Sequence, residues 1–225
     1  MDRSQVSEEL NNRGYANLGP MLASKDVAAL KALYPQKDSF RSHIIMRRHG
    51  FGEGEYKYFS NPPPKSVASL RKQLYSFLAP IANEWQERIG SEMRFPETHE
   101  EMLACCHADG QSRPTPLMLK YGEGDFNCLH QDLYGEHVFP LQVVILLSDV
   151  SDFEGGEFVL TEQRPRMQSR VEVVQLQQGH GVVFAVNERP KLGTRGYYRV
   201  KMRHGVSQIR SGERFTLGII FHDAA

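Results

Sequence analysis

The stretch Asn127-Cys-Leu-His-Gln-Asp-Leu-Tyr-Gly-Glu-His137 places His130 two residues before Asp132. On a β-strand, positions i and i+2 point to the same face, so these two side chains can reach one ion. A second histidine, His204, follows much later on the polar segment 201–205, as in a barrel whose later strand returns beside an earlier one. Two imidazoles and one carboxylate can occupy one face of an octahedral iron(II) ion and leave the opposite face open. We therefore interpret His130, Asp132 and His204 as candidate metal ligands.

Each of these residues also has a simpler interpretation. The chain contains nine histidines, so a His-x-Asp pair in a solvated turn is one alternative, and a surface histidine among basic neighbours is the alternative for His204. His137 is a rival ligand, although the Val-Phe-Pro that follows it favours a turn. Cys128 could supply a thiolate, but we expect it to be a small core residue. The metal interpretation is preferred because the chain also contains an arginine suited to a co-substrate.

The segment Arg214-Phe-Thr-Leu-Gly-Ile-Ile-Phe221 alternates between two kinds of side chain. Strand geometry assigns Phe215, Leu217, Ile219 and Phe221 to a core face, and Arg214, Thr216, Gly218 and Ile220 to the other face. A buried arginine needs a partner, because an unpaired interior charge is costly. The planar guanidinium suits a carboxylate, so we predict that Arg214 and Thr216 bind a dicarboxylate, with a hydrogen bond from Tyr121. An edge strand with Arg214 in water, and a core role for Tyr121, are the alternatives.

Helix signals concentrate in the first half of the chain. A proline inside a helix lacks the N–H that the backbone ladder needs, so we expect Pro80 to kink or divide the helix that contains it. The predicted helices are 4–12 ended by Gly14, 24–33 capped by Ser24 and stopped by Pro35, 65–89 with an apolar stripe, and a helix that begins at the capping-box pair Thr98 and Glu101.

Short apolar runs separated by Gly, Pro, Asp and Asn follow Pro114 and predict an antiparallel sandwich or barrel rather than βαβ units. The fold class is therefore α+β with a mainly β core. The length of 225 residues suits one domain, residues 1–225. Within it we predict a mainly helical support region over 1–112 and a β core over 113–225. The apolar runs are 116–121, 139–147, 156–161, 171–176, 181–186 and 214–221.

Charge and cysteine content restrict the partners and the compartment. Lys plus Arg and Asp plus Glu number 27 each, so nucleic acid could bind only through a local patch. One basic stretch surrounds His204, although a solvated strand face is its alternative; its residues are Arg195, Arg199, Lys201, Arg203 and Arg210, with Tyr197 and Tyr198 between them. The polar start Met1–Gln5 predicts no signal peptide, and no apolar run has bilayer length. Three cysteines, two of them adjacent, predict reduced thiols and a cytoplasmic location.

Taken together, these motifs resemble the iron(II)- and 2-oxoglutarate-dependent dioxygenase superfamily, in particular its prolyl-hydroxylase-like branch. The matching pattern is Tyr121-x-x-Gly124, His130-x-Asp132, Gly155-Gly156-Glu-Phe158, His204 and Arg214-x-Thr216. Longer stretches resemble a prokaryotic family of 2-oxoglutarate and iron(II) oxygenases proposed to act on damaged nucleic acid. Those stretches are 127–137, 155–170 and 203–207.

The resemblance implies a double-stranded β-helix, or jelly roll, with N-terminal helices packed on one side and the catalytic core in 113–225. It implies Fe(II) on His130, Asp132 and His204, and 2-oxoglutarate on Arg214, Thr216 and Tyr121. With O₂, such an enzyme oxidises a substrate C–H bond while it decarboxylates 2-oxoglutarate to succinate. The alternatives are an oxidative demethylase that repairs damaged nucleic acid and a non-enzymatic jelly-roll metal-binding module. Repair enzymes carry a second arginine six residues after the first, whereas this chain has Ile220, which weakens that analogy.

Overall fold

A computed structural model describes residues 2–225, so Met1 and the part of each sequence-based prediction that includes it lie outside the described residues. Three short 3₁₀ helices occupy Lys37–Ser39, Met46–Arg48 and Val150–Asp152. The α-helices are α1 (Arg3–Arg13), α2 (Ser24–Leu33), α3 (Lys65–Arg88) and α4 (His99–Ala108). Within residues 2–225, none of the helices combines the length and apolarity needed to cross a membrane.

The helices agree with the sequence signals except at Ser24 and Pro80. Gly14 ends α1 in the left-handed region at φ 83°, and both hydrogen bonds of the capping box predicted at the start of α4 are present. Ser24 was predicted as a cap, but Ala23 is the N-cap of α2 and makes no side-chain capping bond. Pro80 does not divide α3, which is one helix with this proline on its exposed side. A carbonyl that a proline leaves unpaired on that side can bond to water instead.

The strands form two main antiparallel sheets. The strands are β1 (Tyr15–Pro20), β2 (Phe40–Ile45), β3 (Gly52–Glu53), β4 (Glu55–Phe59), β5 (Leu117–Tyr121), β6 (Phe126–His130), β7 (Leu141–Leu146), β8 (Phe153–Gly155), β9 (Phe158–Gln163), β10 (Arg170–Val174), β11 (His180–Ala185), β12 (Glu188–Gly193), β13 (Gly196–Val206), β14 (Ile209–Gly212) and β15 (Arg214–Ile219). A seven-stranded sheet has the order β1-β11-β7-β15-β5-β4-β2, and a six-stranded sheet has the order β10-β9-β13-β6-β3 with β12 beside β13. The prediction of antiparallel sheets is confirmed.

The first half contributes more β structure than the sequence analysis predicted. It contains β1 to β4 besides its helices, and β1, β2 and β4 pair directly into the seven-stranded sheet. The description of 1–112 as mainly helical support therefore omitted three strands of the main sheet. These strands are short and mixed in composition, as in Tyr15-Ala-Asn-Leu-Gly-Pro20, so their pairing partners rather than their own apolar content stabilise them.

The two faces of β15 separate the core from a cavity. Leu217 and Ile219 are buried in a hydrophobic core that also contains α3 residues such as Leu78. Arg214 and Thr216 point the other way and line a cavity between the two sheets. The sheets meet across this space, where the rings of Phe158 on β9 and Phe184 on β11 lie 5.0 Å apart. The alternation predicted for this strand is therefore observed.

A buried arginine on α3 fixes the chain just beyond β15. Arg71 donates to the carbonyls of Ile220 and His222 and to the carboxylate of Asp223 at 2.8 Å. Arg71→Met would remove the buried cation from this carboxylate and leave it the exposed His107, whose Nε2 lies 2.9 Å from Asp223 Oδ2. We therefore expect a loss of about 3–5 kcal/mol in the free energy of unfolding.

Urea denaturation measures this loss, and the neighbouring Lys72 provides the matched control. Lys72 forms an exposed ion pair with Glu100 at 2.5 Å, so Lys72→Met should cost no more than about 1 kcal/mol. Equal losses for the two variants would contradict the assigned role of Arg71.

Candidate functional site

Strand pairing brings the two candidate histidine ligands together. His204 on β13 lies directly opposite His130 on β6, and their ring centroids are 4.1 Å apart. Strand β6 ends at His130, so Asp132 is in the loop that follows, although it still turns toward both rings. One Asp132 oxygen lies 3.5 Å from His130 Nε2 and the other lies 3.3 Å from His204 Nε2.

This arrangement fits a metal ion. The three potential ligand atoms all lie within 4.8 Å of one another. Ligands at about 2.1 Å from a metal and at right angles to each other are about 3 Å apart, which is near the observed spacings. His130 Nδ1 lies 2.8 Å from the carbonyl oxygen of Cys128, which can only accept. The proton of His130 is therefore on Nδ1, and the lone pair of Nε2 is free for a metal.

The charges of His130 and Asp132 suit the same purpose. Burial lowers the pKa of His130, and the neighbouring His204 lowers it further, so His130 is neutral at pH 7. Burial alone would raise the pKa of Asp132, but the hydrogen bond and charge of His204, the charge of His130 and the Tyr134 hydroxyl outweigh it and hold that pKa well below its usual range. The Tyr134 hydroxyl donates to Asp132 Oδ1 at 2.8 Å. A carboxylate beside a neutral imidazole is the state in which both can bind a cation.

Metal affinity should fall as the pH drops, because a protonated imidazole cannot bind a metal. Because the pKa of His130 is lowered, its protonation should reduce metal affinity only at a pH below the ordinary imidazole pKa of about 6.5. Titration of the protein with Mn(II) at a series of pH values, followed by electron paramagnetic resonance, measures the effect. Affinity that stays constant through the acid range would contradict histidine ligation.

The predicted co-substrate residues lie in the same cavity, which has a volume of about 310 Å³ and is also lined by the three candidate ligands. Arg214 is 1% exposed and stands directly opposite Tyr121 in the pairing of β15 with β5. Thr216 is two residues further along the same face. The buried Tyr121 hydroxyl accepts a hydrogen bond from Asn127 Nδ2 at 3.3 Å. The structure thus brings all six predicted site residues to one cavity.

Arg214 is buried without an anionic partner. It forms no ion pair with any carboxylate of residues 2–225, and aromatic rings of Tyr121 and Phe153 lie 5.7 and 5.9 Å from its guanidinium carbon. Burial lowers the pKa of Arg214 to about 10, which Tyr121 and Glu157 only partly offset, so the group stays charged at pH 7. An unpaired cation inside a protein is costly. A bound anion at this end of the cavity would supply the partner that Arg214 lacks.

A glycine allows Arg214 to take this position. Gly156 adopts a positive φ of 63°, and a Cβ placed there would clash first with Ile209 Cδ1 and would also lie 2.9 Å from Arg214 Cδ. A side chain at this position would therefore displace Ile209, Arg214 or both. The close packing around Gly156 thus explains why the sequence pattern has glycine at this position.

Other sequence-based interpretations have different outcomes. His137 is not part of the cluster, since its Nε2 pairs with Asp109 Oδ2 at 2.5 Å. The prediction that Cys128 is a core residue is wrong: its side chain is exposed, and its carbonyl rather than its thiol supports His130. The basic residues Arg199, Lys201 and Arg203 alternate with the buried side of β13 and lie outside the cavity.

The sequence analysis missed two polar residues that line the cavity. Tyr134 bonds to Asp132, and Gln142 is a polar side chain that lines the cavity from the otherwise apolar strand β7. The polar interruption of the run Leu141–Leu146 was a signal that could have identified Gln142.

Residues 54–224 match the protein family Oxygenase-NA, described as an oxygenase catalysing oxidative methylation of damaged DNA. A protein of Mycobacterium tuberculosis, itself named only as uncharacterized, is 55% identical over 168 residues, which are 74% of this chain and 72% of the relative. Among solved structures, a Pseudomonas putida prolyl-4-hydroxylase is similar with a TM-score of 0.53 and 15% identity over 100% of both chains. A Burkholderia pseudomallei oxidoreductase of the 2OG-Fe(II) oxygenase family is similar with a TM-score of 0.57 and 16% identity over 100% of this chain and 94% of that one.

These similarities differ in what they establish. The solved structures are too distant in sequence to show more than a shared fold, and that fold is one used by 2-oxoglutarate oxygenases and prolyl hydroxylases. The family match covers most of the chain. Both resemblances predicted from the sequence are confirmed. The chain belongs to the Oxygenase-NA family of oxygenases.

Proposed function

We propose that this protein is an iron(II)- and 2-oxoglutarate-dependent dioxygenase that oxidises a substrate C–H bond. The observation that carries the proposal is a single cavity with a His-Asp-His cluster and a buried arginine that lacks a carboxylate partner. A metal site alone would fit many proteins, and so would a buried arginine. Their combination in one cavity matches a co-substrate that has one end for a metal and a free carboxylate at the other.

In this proposal, His130, Asp132 and His204 hold the iron. Bound iron(II) with 2-oxoglutarate and O₂ supplies the oxidising chemistry, in which 2-oxoglutarate loses carbon dioxide to become succinate and a substrate C–H bond is oxidised. Arg214 binds the far carboxylate through its planar guanidinium, and the Thr216 and Tyr121 hydroxyls add hydrogen bonds. The apolar walls, which include Phe158 and Phe184, exclude water from the reacting groups.

We further propose that the two sheets form a double-stranded β-helix within a single domain spanning 1–225. The antiparallel order of both sheets supports this, and so does the pairing of β1, β3 and β4 with β11, β6 and β5 of the second half. The three cysteines are free, which agrees with the proposed reducing, cytoplasmic location.

Two measurements test the proposed activity. Anaerobic addition of Fe(II) and 2-oxoglutarate should produce a weak visible charge-transfer band, and admission of O₂ should then release succinate. Succinate release would exclude the non-enzymatic metal-binding module. A featureless spectrum under saturating ligands, with no succinate after oxygen, would contradict the proposal.

A second candidate, oxidation of damaged nucleic acid, is favoured by the cavity rim. Phe51 lines the cavity while 45% exposed, and its ring stacks on His49 at 5.3 Å with an interplanar angle of 22°. Arg47 and Arg48 are exposed just before this pair. Aromatic and guanidinium groups beside an opening are suited to a stacked base and its phosphates. The family description, which names damaged DNA, supports the same candidate.

Binding to fluorescent single-stranded DNA at several salt concentrations tests this candidate. Phe51→Ala should weaken binding about 5- to 150-fold, because stacking contributes roughly 1–3 kcal/mol per base. Tyr197→Ala is the matched control, since that ring is 42% exposed on the outer hairpin of β12 and β13. A larger effect of Tyr197→Ala would move the nucleic-acid surface from the cavity rim to β13. Absence of salt-dependent binding would favour a small-molecule or peptidyl substrate.

A further inference from the structure

Gln142 is a polar side chain without a partner inside the cavity. It is 4% exposed, and its neighbours on β7 are Leu, Val and Ile. Its amide nitrogen is fully buried and has no hydrogen-bond partner within residues 2–225. A buried donor that is left unpaired destabilises a protein, and most such groups find partners. The unpaired amide therefore indicates a hydrogen-bond acceptor that a ligand, rather than the chain itself, would supply.

The position of Gln142 limits which part of a ligand it can meet. Gln142 is paired with Phe184 on β11, and the ring of Phe184 lies 4.8 Å from the ring of His204. Strand β15 lies on the other side of β7 from β11. There Val143, the residue after Gln142, is opposite Ile219. Arg214 is five residues before Ile219, roughly 17 Å along the strand at 3.3 Å per residue. Gln142 is thus at the metal end of the cavity, and Arg214 is at the other end.

We propose that the Gln142 carboxamide donates a hydrogen bond to the oxo-acid carboxylate of 2-oxoglutarate. The inference rests on the proposed function. When Arg214 holds the far carboxylate, the oxo-acid end must point along the cavity toward the His-Asp-His cluster. That end brings an anionic acceptor to the side of the cavity where Gln142 has an unpaired donor. A charge-assisted hydrogen bond of this kind would position the oxo acid as well as stabilise it.

Binding of 2-oxoglutarate in the presence of Mn(II), measured by calorimetry, provides the test. Gln142→Leu keeps the approximate size of the side chain and removes its donor. We expect 2-oxoglutarate affinity to fall about tenfold or more, as for the loss of a hydrogen bond to a charged group. Mn(II) affinity should not change. The ligand-free variant should melt no lower than the wild type, because an unpaired polar group has been removed.

Two controls test whether Gln142 acts on the oxo-acid carboxylate of 2-oxoglutarate. Levulinate has the ketone and the far carboxylate of 2-oxoglutarate but a methyl group in place of the oxo-acid carboxylate. Its affinity, measured by ligand-observed NMR, should be equal for the wild type and Gln142→Leu. Ser42→Ala is the matched variant outside the cavity, since Ser42 Oγ is also buried without a partner. It should leave the affinity for 2-oxoglutarate unchanged.

The outcomes separate this inference from the proposed function. Unchanged 2-oxoglutarate affinity in Gln142→Leu, with affinity lost in Arg214→Met, would overturn the role of Gln142 alone. Equal loss of 2-oxoglutarate and levulinate affinity would also overturn it, because Gln142 would then shape the cavity rather than bind the carboxylate. Failure of the wild type to bind 2-oxoglutarate would reject the proposed function itself.

Discussion

Arg214→Met is expected to abolish 2-oxoglutarate binding while leaving metal binding intact. In the proposed function Arg214 binds the far carboxylate, so the variant removes a charge-assisted, two-point contact, and affinity should fall at least about 100-fold. Calorimetric titration with 2-oxoglutarate and with Mn(II) measures the two effects separately. Equal losses of affinity for both ligands would show that Arg214 supports the metal cluster rather than the co-substrate.

The same variant should raise the melting temperature of the ligand-free protein. Arg214 and Arg71 are both almost fully buried, but Arg71 has a carboxylate and several carbonyl partners whereas Arg214 pairs with no carboxylate of residues 2–225. Removal of an unpaired buried charge relieves a desolvation cost, and removal of a paired one creates such a cost. Opposite shifts are therefore expected for Arg214→Met and Arg71→Met. Destabilisation by both would mean that Arg214 has a structural partner.

His204→Ala is expected to produce the largest loss of metal affinity and activity. Residues that only support a metal ligand typically contribute 10- to 100-fold to affinity, so a direct ligand should contribute more than about 100-fold. Mn(II) affinity and succinate release should fall together. Tyr134→Phe, which removes only the hydrogen bond to Asp132, should have an intermediate effect.

His137→Ala is the matched control for the histidine substitution. His137 follows Asp132 closely in sequence but pairs with Asp109 instead of the cluster. It should keep metal affinity and succinate release near the wild-type level. A loss comparable to that of His204→Ala would make His137 a ligand and would require a different cluster.

The position of the site residues was predictable because strand geometry is regular. The alternation in 214–221 placed Arg214 and Thr216 on one face, and the observed cavity lies on that face. The spacing of His130 and Asp132 suggested a shared ion, and their ligand atoms are close to each other. Short-range periodicity carries this information without knowledge of the strand order.

What sequence reasoning missed depended on contacts between distant segments. Strand β13 was not among the predicted apolar runs. Its buried residues Val200 and Met202 are separated by the exposed, charged residues Arg199, Lys201 and Arg203, so no apolar run appears in the sequence. Strands β1 to β4 have too little apolar content to be predicted alone and exist through their partners. The unpaired state of Arg214 and Gln142 could be found only from coordinates, because a sequence does not show which polar groups lack a neighbour.

The facing positions of His130 and His204 on β6 and β13 have a consequence for folding. An ion held there would act as a removable cross-link between segments that are far apart along the chain. Unfolding would then have to release it, so the melting temperature of this protein should climb with the concentration of free divalent metal and drop when a chelator is added. Iron supply would thereby govern the lifetime of the folded protein as well as its turnover.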